Sequence, residues 1–209
     1  MPASRRSLSP RKQPTQQRSR EMVELLLKST TRILVKDGLT GFNTNKLARV
    51  AGVSVGSVYQ YFPNKDSLLS ALIEAKVAAD VEFFIEWMKD AEGWSGERRF
   101  EELLLAGIEL HRRDHKLMKV IFAQLGSSGQ LGLVERTHDR LFDMIRAMIR
   151  EKRSLGEADL NERTYVVGQL VLAIWHSQVE KDWMKLDARS VARRALSMIQ
   201  VCIQDGGRS

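Results

Sequence analysis

Between Asn43 and Pro63 the chain is punctuated so closely that only two short helices and one turn fit. Asn43 offers a side-chain oxygen to the free N–H groups that open a helix, and Leu47, Val50 and Ala51 fall on one face of a segment predicted over Thr44 to Ala51. Gly52 follows, where a residue free to take a positive φ can end the helix and turn the chain. Ser54 supplies a second cap, for a helix predicted from Val55 to about Phe62. Pro63 closes it, because proline disfavours helical geometry at the residue before it. Two capped helices about a glycine turn make a helix-turn-helix, whose second helix can enter a DNA major groove while the first crosses the backbone.

The flanking sequence is helical too. Met22, Val23, Leu26, Leu27, Thr30, Ile33 and Leu34 recur at three- and four-residue spacing and predict a helix from Thr15 to Asp37, ended by Gly38. Asn64 caps a long helix to about Ala91 whose stripe is Ile73, Val77, Val81, Phe84 and Met88. Further helices are expected over about 97–113, 115–125, 132–153, 161–183 and 188–204, separated by loops rich in Gly, Ser or Asp. No stretch alternates with a period of two, so the expected fold class is all-α. Three parts follow: a flexible basic arm over 1–14, a three-helix DNA-binding domain over 15–72, and a C-terminal helical bundle over 73–209.

Charge divides the chain the same way. Residues 1–72 hold 12 Lys and Arg against 4 Asp and Glu, and residues 73–209 hold 21 against 22, so the net +7 arises entirely in the first third. That asymmetry fits a nucleic-acid-binding end joined to a part without such a partner. Arg5, Arg6, Arg11 and Lys12 in the arm are expected to add salt-dependent affinity for phosphate. The arm has no following apolar segment, no later stretch is long enough to span a bilayer, and the single Cys202 cannot form an intrachain disulfide, so a cytoplasmic protein without a membrane partner is expected.

Within the second short helix Ser54, Ser57, Tyr59, Gln60 and Tyr61 supply hydroxyls and an amide able to address phosphates and base edges, and Lys65 adds a cation just beyond Pro63. The run Ala51-Gly52-Val53-Ser54-Val55-Gly56-Ser57-Val58-Tyr59-Gln60-Tyr61-Phe62-Pro63-Asn64-Lys65, followed by Leu68, resembles the DNA-binding signature of the TetR family. Leu47-Ala48 matches the family's apolar-alanine step and Gly38 the glycine that ends helix one, so the resemblance covers roughly residues 17–72. It implies that Lys65 contacts phosphate at the start of the fourth helix, and that Ser57, Tyr59 and Tyr61 touch backbone or bases. Gln60, at a variable family position, helps set operator sequence. Asn43 stands where Thr or Ser is usual, as an equivalent cap and candidate phosphate contact; Phe42 stands where a second small hydroxyl is common. Thr44 and Val55, which open the two short helices, complete the candidate DNA-binding set. Val53, Val58 and Phe62 are expected in the core.

The family resemblance also implies a homodimer built from the last two helices, repressing at a palindromic operator and released when a small effector changes the spacing of the recognition helices. The predicted helix over 161–183 is apolar nearly all round, which agrees with burial on more than one side. Val191, Ala195, Met198 and Cys202 give the last helix a narrow stripe for close packing. Aromatic residues are plentiful in the C-terminal part, and a mostly apolar effector is expected there. Its candidate walls are Phe84, Trp87, Phe122 and Phe142; Tyr165, Gln169 and His176, on one stripe, and His138 on another helix, are the candidate polar contacts.

Other chemistries find less support. His111 and His115 share the i, i+4 spacing of a zinc protease helix, but Arg112 occupies the slot of the catalytic glutamate. The stretch from Gly126 to Gly132 lacks the Lys-Ser/Thr of a phosphate-binding loop and reads as a connector. Gly52-Val53-Ser54-Val55-Gly56 has the letters of a nucleophile elbow in the wrong structural context. No catalytic residue, cofactor or metal set is assigned. Two alternatives stay open: a DNA-binding regulator without a small-molecule ligand, controlled by a protein partner or architectural, and a helical metal protein using His111 and His115.

Overall fold

A computed structural model describes residues 17–128, 131–151, 155–180 and 183–204, and among them the regular elements are all helical. The arm with Arg5, Arg6, Arg11 and Lys12 lies outside the described residues. Nine α-helices are described: α1 (Gln17–Asp37), α2 (Thr44–Ala51), α3 (Val55–Tyr61), α4 (Lys65–Asp90), α5 (Gly96–Arg113), α6 (His115–Ser128), α7 (Leu131–Arg150), α8 (Glu157–Ser177) and α9 (Ala188–Gln204). Among the described residues a 3-10 turn covers Trp183–Lys185. By packing, the described residues up to Asp80 join the segment from Lys119 to Leu133 in one compact unit, and those from Val81 to Met118 and from Val134 onward form another. The division falls inside α4, α6 and α7, whereas the boundary expected after Leu72 followed the end of the signature.

In the N-terminal unit α1 buries Leu26, Ser29, Thr30, Ile33 and Leu34, and the hydroxyl of Thr30 donates to the Leu26 carbonyl at 2.8 Å, so a polar side chain is accommodated inside. Gly38 ends α1 at φ 67°, its N–H on the Leu34 carbonyl at 3.0 Å. Leu47 and Ala48 of α2, Val58 of α3, Phe62 and Leu68 of α4 are all buried. Each large apolar side chain among them contributes about 1.5–3 kcal/mol relative to exposure. Phe62 follows α3 as its C-cap instead of extending it, with extended backbone before Pro63. Asn64 begins α4: its Oδ1 accepts from the Ser67 N–H at 2.8 Å.

The C-terminal unit has a core of Phe100, Leu103, Leu104 and Ile108 from α5, Ile145, Met148 and Ile149 from α7, Val167, Val171 and Trp175 from α8, and Ala192, Ala195 and Ile199 from α9. α5 packs on both α8 and α9, which pack on each other. At two contacts between these helices glycine stands where a side chain would collide. A Cβ at Gly107 would fall 1.9 Å from Cε2 of Trp175, and one at Gly168 would fall 2.3 Å from Cε1 of Phe142. The Trp175 indole donates Nε1–H to the Leu104 carbonyl at 3.2 Å and stacks on Phe84 at 4.9 Å with 9° between planes. Arg163 is buried as well. It donates to the carbonyls of Cys202 and Ile203 at 2.6 and 2.8 Å and to Asp159 at 2.8 Å, a cation holding the negative C-terminal end of α9.

Helix limits depart from expectation mainly at α8, which starts at Glu157 instead of 161 and stops at Ser177 instead of 183. Glu157 and Asp159 lie in its first turn, where carboxylates favour the positive end of the dipole, and the Gln178 N–H closes the last turn on Trp175 at 3.1 Å. The stretch from Gly126 is mostly helical too, since α6 runs to Ser128 and α7 begins at Leu131. Among the described residues no helix is long and apolar enough to cross a membrane.

Candidate DNA interface and effector unit

The geometry of α2 and α3 is built from caps and a turn. Asn43 accepts from the Lys46 N–H at 2.8 Å, and Ser54 from the Ser57 N–H at 3.0 Å, each cap contributing about 1 kcal/mol. Gly52 takes φ 70°, and Val53 donates its N–H to the Ala48 carbonyl at 2.9 Å, closing α2 before the chain enters α3. The hydroxyls of Thr44 and Tyr59 lie 3.2 Å apart, tying the first residue of α2 to α3. Ser54 and Ser57 hydroxyls are 2.8 Å apart. Tyr59, 41% exposed, and Gln60 turn outward; Val55, Ser57 and Tyr61 are half-buried. The core positions Val58 and Phe62 leave these polar side chains on the opposite face of α3, the arrangement a helix needs to read a groove.

Lys65 is half-buried at the start of α4. Its ammonium donates to the Leu39 carbonyl at 3.2 Å and stands 5.4 Å from the centre of the Phe42 ring. Phe42 itself is buried, so at this position an aromatic floor under Lys65 replaces the small hydroxyl common in the resembled family. An ammonium carries three N–H groups, and this bond uses one. Lys46 bonds Asp37 at 3.0 Å and the Gly41 carbonyl at 3.2 Å, fixing the loop before α2.

In the C-terminal unit the polar feature is a row of imidazoles from three helices. The His176 ring on α8 lies 5.8 Å from that of His111 on α5 and 5.6 Å from that of His138 on α7, centre to centre. His111 is buried, 5.9 Å from Trp175, with Nδ1 2.8 Å from the Gly107 carbonyl. Burial, followed by the neighbouring His111 and His138, lowers the pKa of His176 from 6.5 to about 4, so its ring is neutral at pH 7. His115 does not join the row: its Nδ1 lies 2.9 Å from the Arg112 carbonyl. Among the described residues no group of three or more His, Cys, Asp or Glu is arranged to hold a metal ion.

The sequence model described as "Bacterial regulatory proteins, tetR family" matches residues 26–72, from the middle of α1 through the start of α4, and so spans the helix-turn-helix. Relatives extend the likeness beyond it. The HTH-type transcriptional repressor KstR of Rhodococcus jostii (strain RHA1) is 24% identical over 196 residues, 90% of this chain and 86% of that protein. Residues 26–72 thus match the TetR-family DNA-binding domain, and the likeness supports a TetR-family, DNA-binding transcriptional regulator. The nucleoid occlusion factor SlmA of Citrobacter koseri is 27% identical over 164 residues, 77% of this chain and 81% of that one. Two solved structures share the fold: the regulator FadR from Bacillus subtilis in complex with stearoyl-CoA, at TM-score 0.67 and 17% identity, covers 88% of this chain and 99% of its own. A TetR regulator from Haloarcula marismortui ATCC 43049, at TM-score 0.63 and 18% identity, covers 86% and 98%.

Against this TetR frame, the nine candidate DNA residues, Asn43 to Lys65, fall in one continuous stretch of the N-terminal unit. Several already have internal tasks: Asn43 and Ser54 cap helices, Thr44 and Tyr59 join each other, and Lys65 rests on Phe42. The candidate effector residues separate. Phe84, Trp87, His138, Phe142 and His176 lie in the C-terminal unit, Phe84 on Trp175, Trp87 edge-on to Trp94 at 6.0 Å, and Phe142 against Gly168. Phe122 packs in the N-terminal unit and is not with them. Tyr165, 60% exposed, and Gln169, also exposed, lie on the open part of the α8 stripe; only its His176 end is covered. His111, paired in the sequence with His115, belongs instead with His138 and His176. Nothing in linear spacing signals that, since the partners sit on other helices.

Proposed function

We propose that the chain is a homodimeric TetR-type repressor of a palindromic operator, released by a small and mostly apolar effector bound in the C-terminal unit. The observation that carries the DNA half is the outward polar face of α3, with Tyr59, Gln60 and Ser57 set over a core of Val58 and Phe62. Asn43, Thr44, Ser54, Val55, Tyr61 and Lys65 flank it as backbone contacts or as supports for them. A dimer is favoured by apolar side chains left bare on α8 and α9: Tyr165, Val166, Met198 and Val201 are between 49% and 60% exposed. Repression is the role named for KstR, and an acyl thioester is the molecule bound to FadR.

The effector half is tested by reciprocity. An effector that favours the DNA-incompetent state by roughly 1–3 kcal/mol weakens operator affinity about 5- to 150-fold, and operator DNA must weaken the effector equally. Stearoyl-CoA and apolar carboxylic acids of graded length are the first probes. A probe that binds at micromolar concentration and leaves operator affinity unchanged is not the effector. The likeness to a nucleoid occlusion factor favours a second reading, a DNA-binding regulator without a small-molecule ligand; it is preferred if no probe shifts the melting temperature while DNA binding is intact.

A further inference from the structure

Phe42 is the last residue before the Asn43 cap of α2 and lies in the turn that follows α1. Its ring is buried, yet one face is turned to a charge: the Lys65 ammonium, from the start of α4, stands over the ring at 5.4 Å from its centre. The same ammonium donates to the Leu39 carbonyl at 3.2 Å. That oxygen also accepts the Phe42 N–H at 3.3 Å, so ring and carbonyl belong to one closed turn. The turn is itself fastened. Lys46 of α2 bonds Asp37 at 3.0 Å and the Gly41 carbonyl at 3.2 Å, and Gly41 passes so near α1 that a Cβ there would fall 2.6 Å from Cβ of Asp37.

The two lysines that reach this turn are held differently. Lys46 is paired with a carboxylate, whereas Lys65 rests on a carbonyl and a ring, neither of which cancels its charge. A ring face attracts a cation through its quadrupole, and the attraction strengthens where water is excluded. A phenyl ring itself offers a phosphate no hydrogen bond, so position 42 can serve DNA only through a neighbour. We infer that Phe42 is a positioning residue for DNA binding: its ring and the Leu39 carbonyl seat the Lys65 ammonium before DNA arrives, leaving N–H groups to meet a phosphate. A lysine free in solvent loses its rotamer freedom on binding, which costs about two- to tenfold in affinity for each such side chain; a seated Lys65 has lost much of that freedom already on folding. The role in binding rests on the reading of Lys65 as a phosphate contact; the seating of the ammonium does not.

Two measurements on the full chain test this. In the NMR spectrum of the free protein, the ring current of Phe42 is expected to move the Lys65 ε-methylene protons upfield of those of the exposed Lys28 and Lys36. Unshifted protons would overturn the inference, whatever happens on DNA. For binding, phenylalanines with one, two and five ring fluorines, placed at position 42 alone, keep the ring's shape nearly constant while draining its face of negative potential. The probe is a random-sequence DNA duplex, because a phosphate contact does not read bases. Affinity is expected to fall in steps, about two- to tenfold for each Lys65 that engages, and to stop responding to fluorine in Lys65→Met. A ring that serves only the core would not distinguish the two backgrounds. With folding verified by melting, an affinity unchanged or raised by fluorine while Lys65 is present would overturn the inference, as would an equal fall in Lys65→Met. Wild-type affinity in Lys65→Met, with the upfield shift in place in the wild type, would instead remove Lys65 as a phosphate contact, and the part of Phe42 in binding with it.

Discussion

The Trp175 indole occupies the space where a side chain at Gly107 would stand, and that contact decides the sign of a substitution. In an open helix Gly→Ala stabilises by about 0.5–1 kcal/mol, because glycine loses more freedom on folding. Here the new Cβ meets Cε2 and Nε1 of an indole held by the Leu104 carbonyl and by Phe84. Gly107→Ala is expected to cost about 1–3 kcal/mol by overpacking, read as a lower urea midpoint, and an unchanged or higher midpoint would deny the contact. In the DNA unit, Lys65→Ala is expected to weaken binding to all sequences alike, whereas Gln60→Ala is expected to change which operators are preferred. Competition binding with scrambled operators separates the two. Both stand out as candidates in the sequence because caps and breakers surround them at fixed spacing. Gly107, Gly168 and the histidine row do not, since their meaning lies in partners from distant parts of the chain.

Among the helices, α2 was read to the residue because Asn43 and Gly52 bound it on both sides. α8 was misplaced at both ends, for apolar content continues past its C-terminus and its first turn is polar. The stripe expected on α9 is also divided by the structure. Ala195 is buried in the subunit's own core, 4% exposed, while Met198 and Val201 face outward. A charge at Ala195 would thus strike the subunit's folding before any interface. Val201→Glu is the cleaner probe: sedimentation is expected to show a dimer for the wild type and a folded monomer for the variant. A wild-type monomer at micromolar concentration would remove the dimer from the account.

For the whole molecule, the proposed function couples effector and DNA through α4, which has Lys65 at its first residue and Phe84 in its later turns. A dimeric repressor must present two α3 helices to successive major grooves, about 34 Å apart, so an effector needs only to favour another spacing. Fold class was legible throughout from the 3.6-residue period; effector chemistry was not, because aromatic residues at helical spacing serve the core and a pocket equally well. The most direct test is genome-wide mapping of bound DNA for the wild type and for Tyr59→Ala/Lys65→Ala, with folding of the variant verified by melting. Discrete sites sharing one palindrome, and lost in the variant, are predicted. Enrichment that is absent from the wild type, or that persists unchanged in the folded variant, would contradict the assignment of α3 and Lys65 as the DNA-binding element.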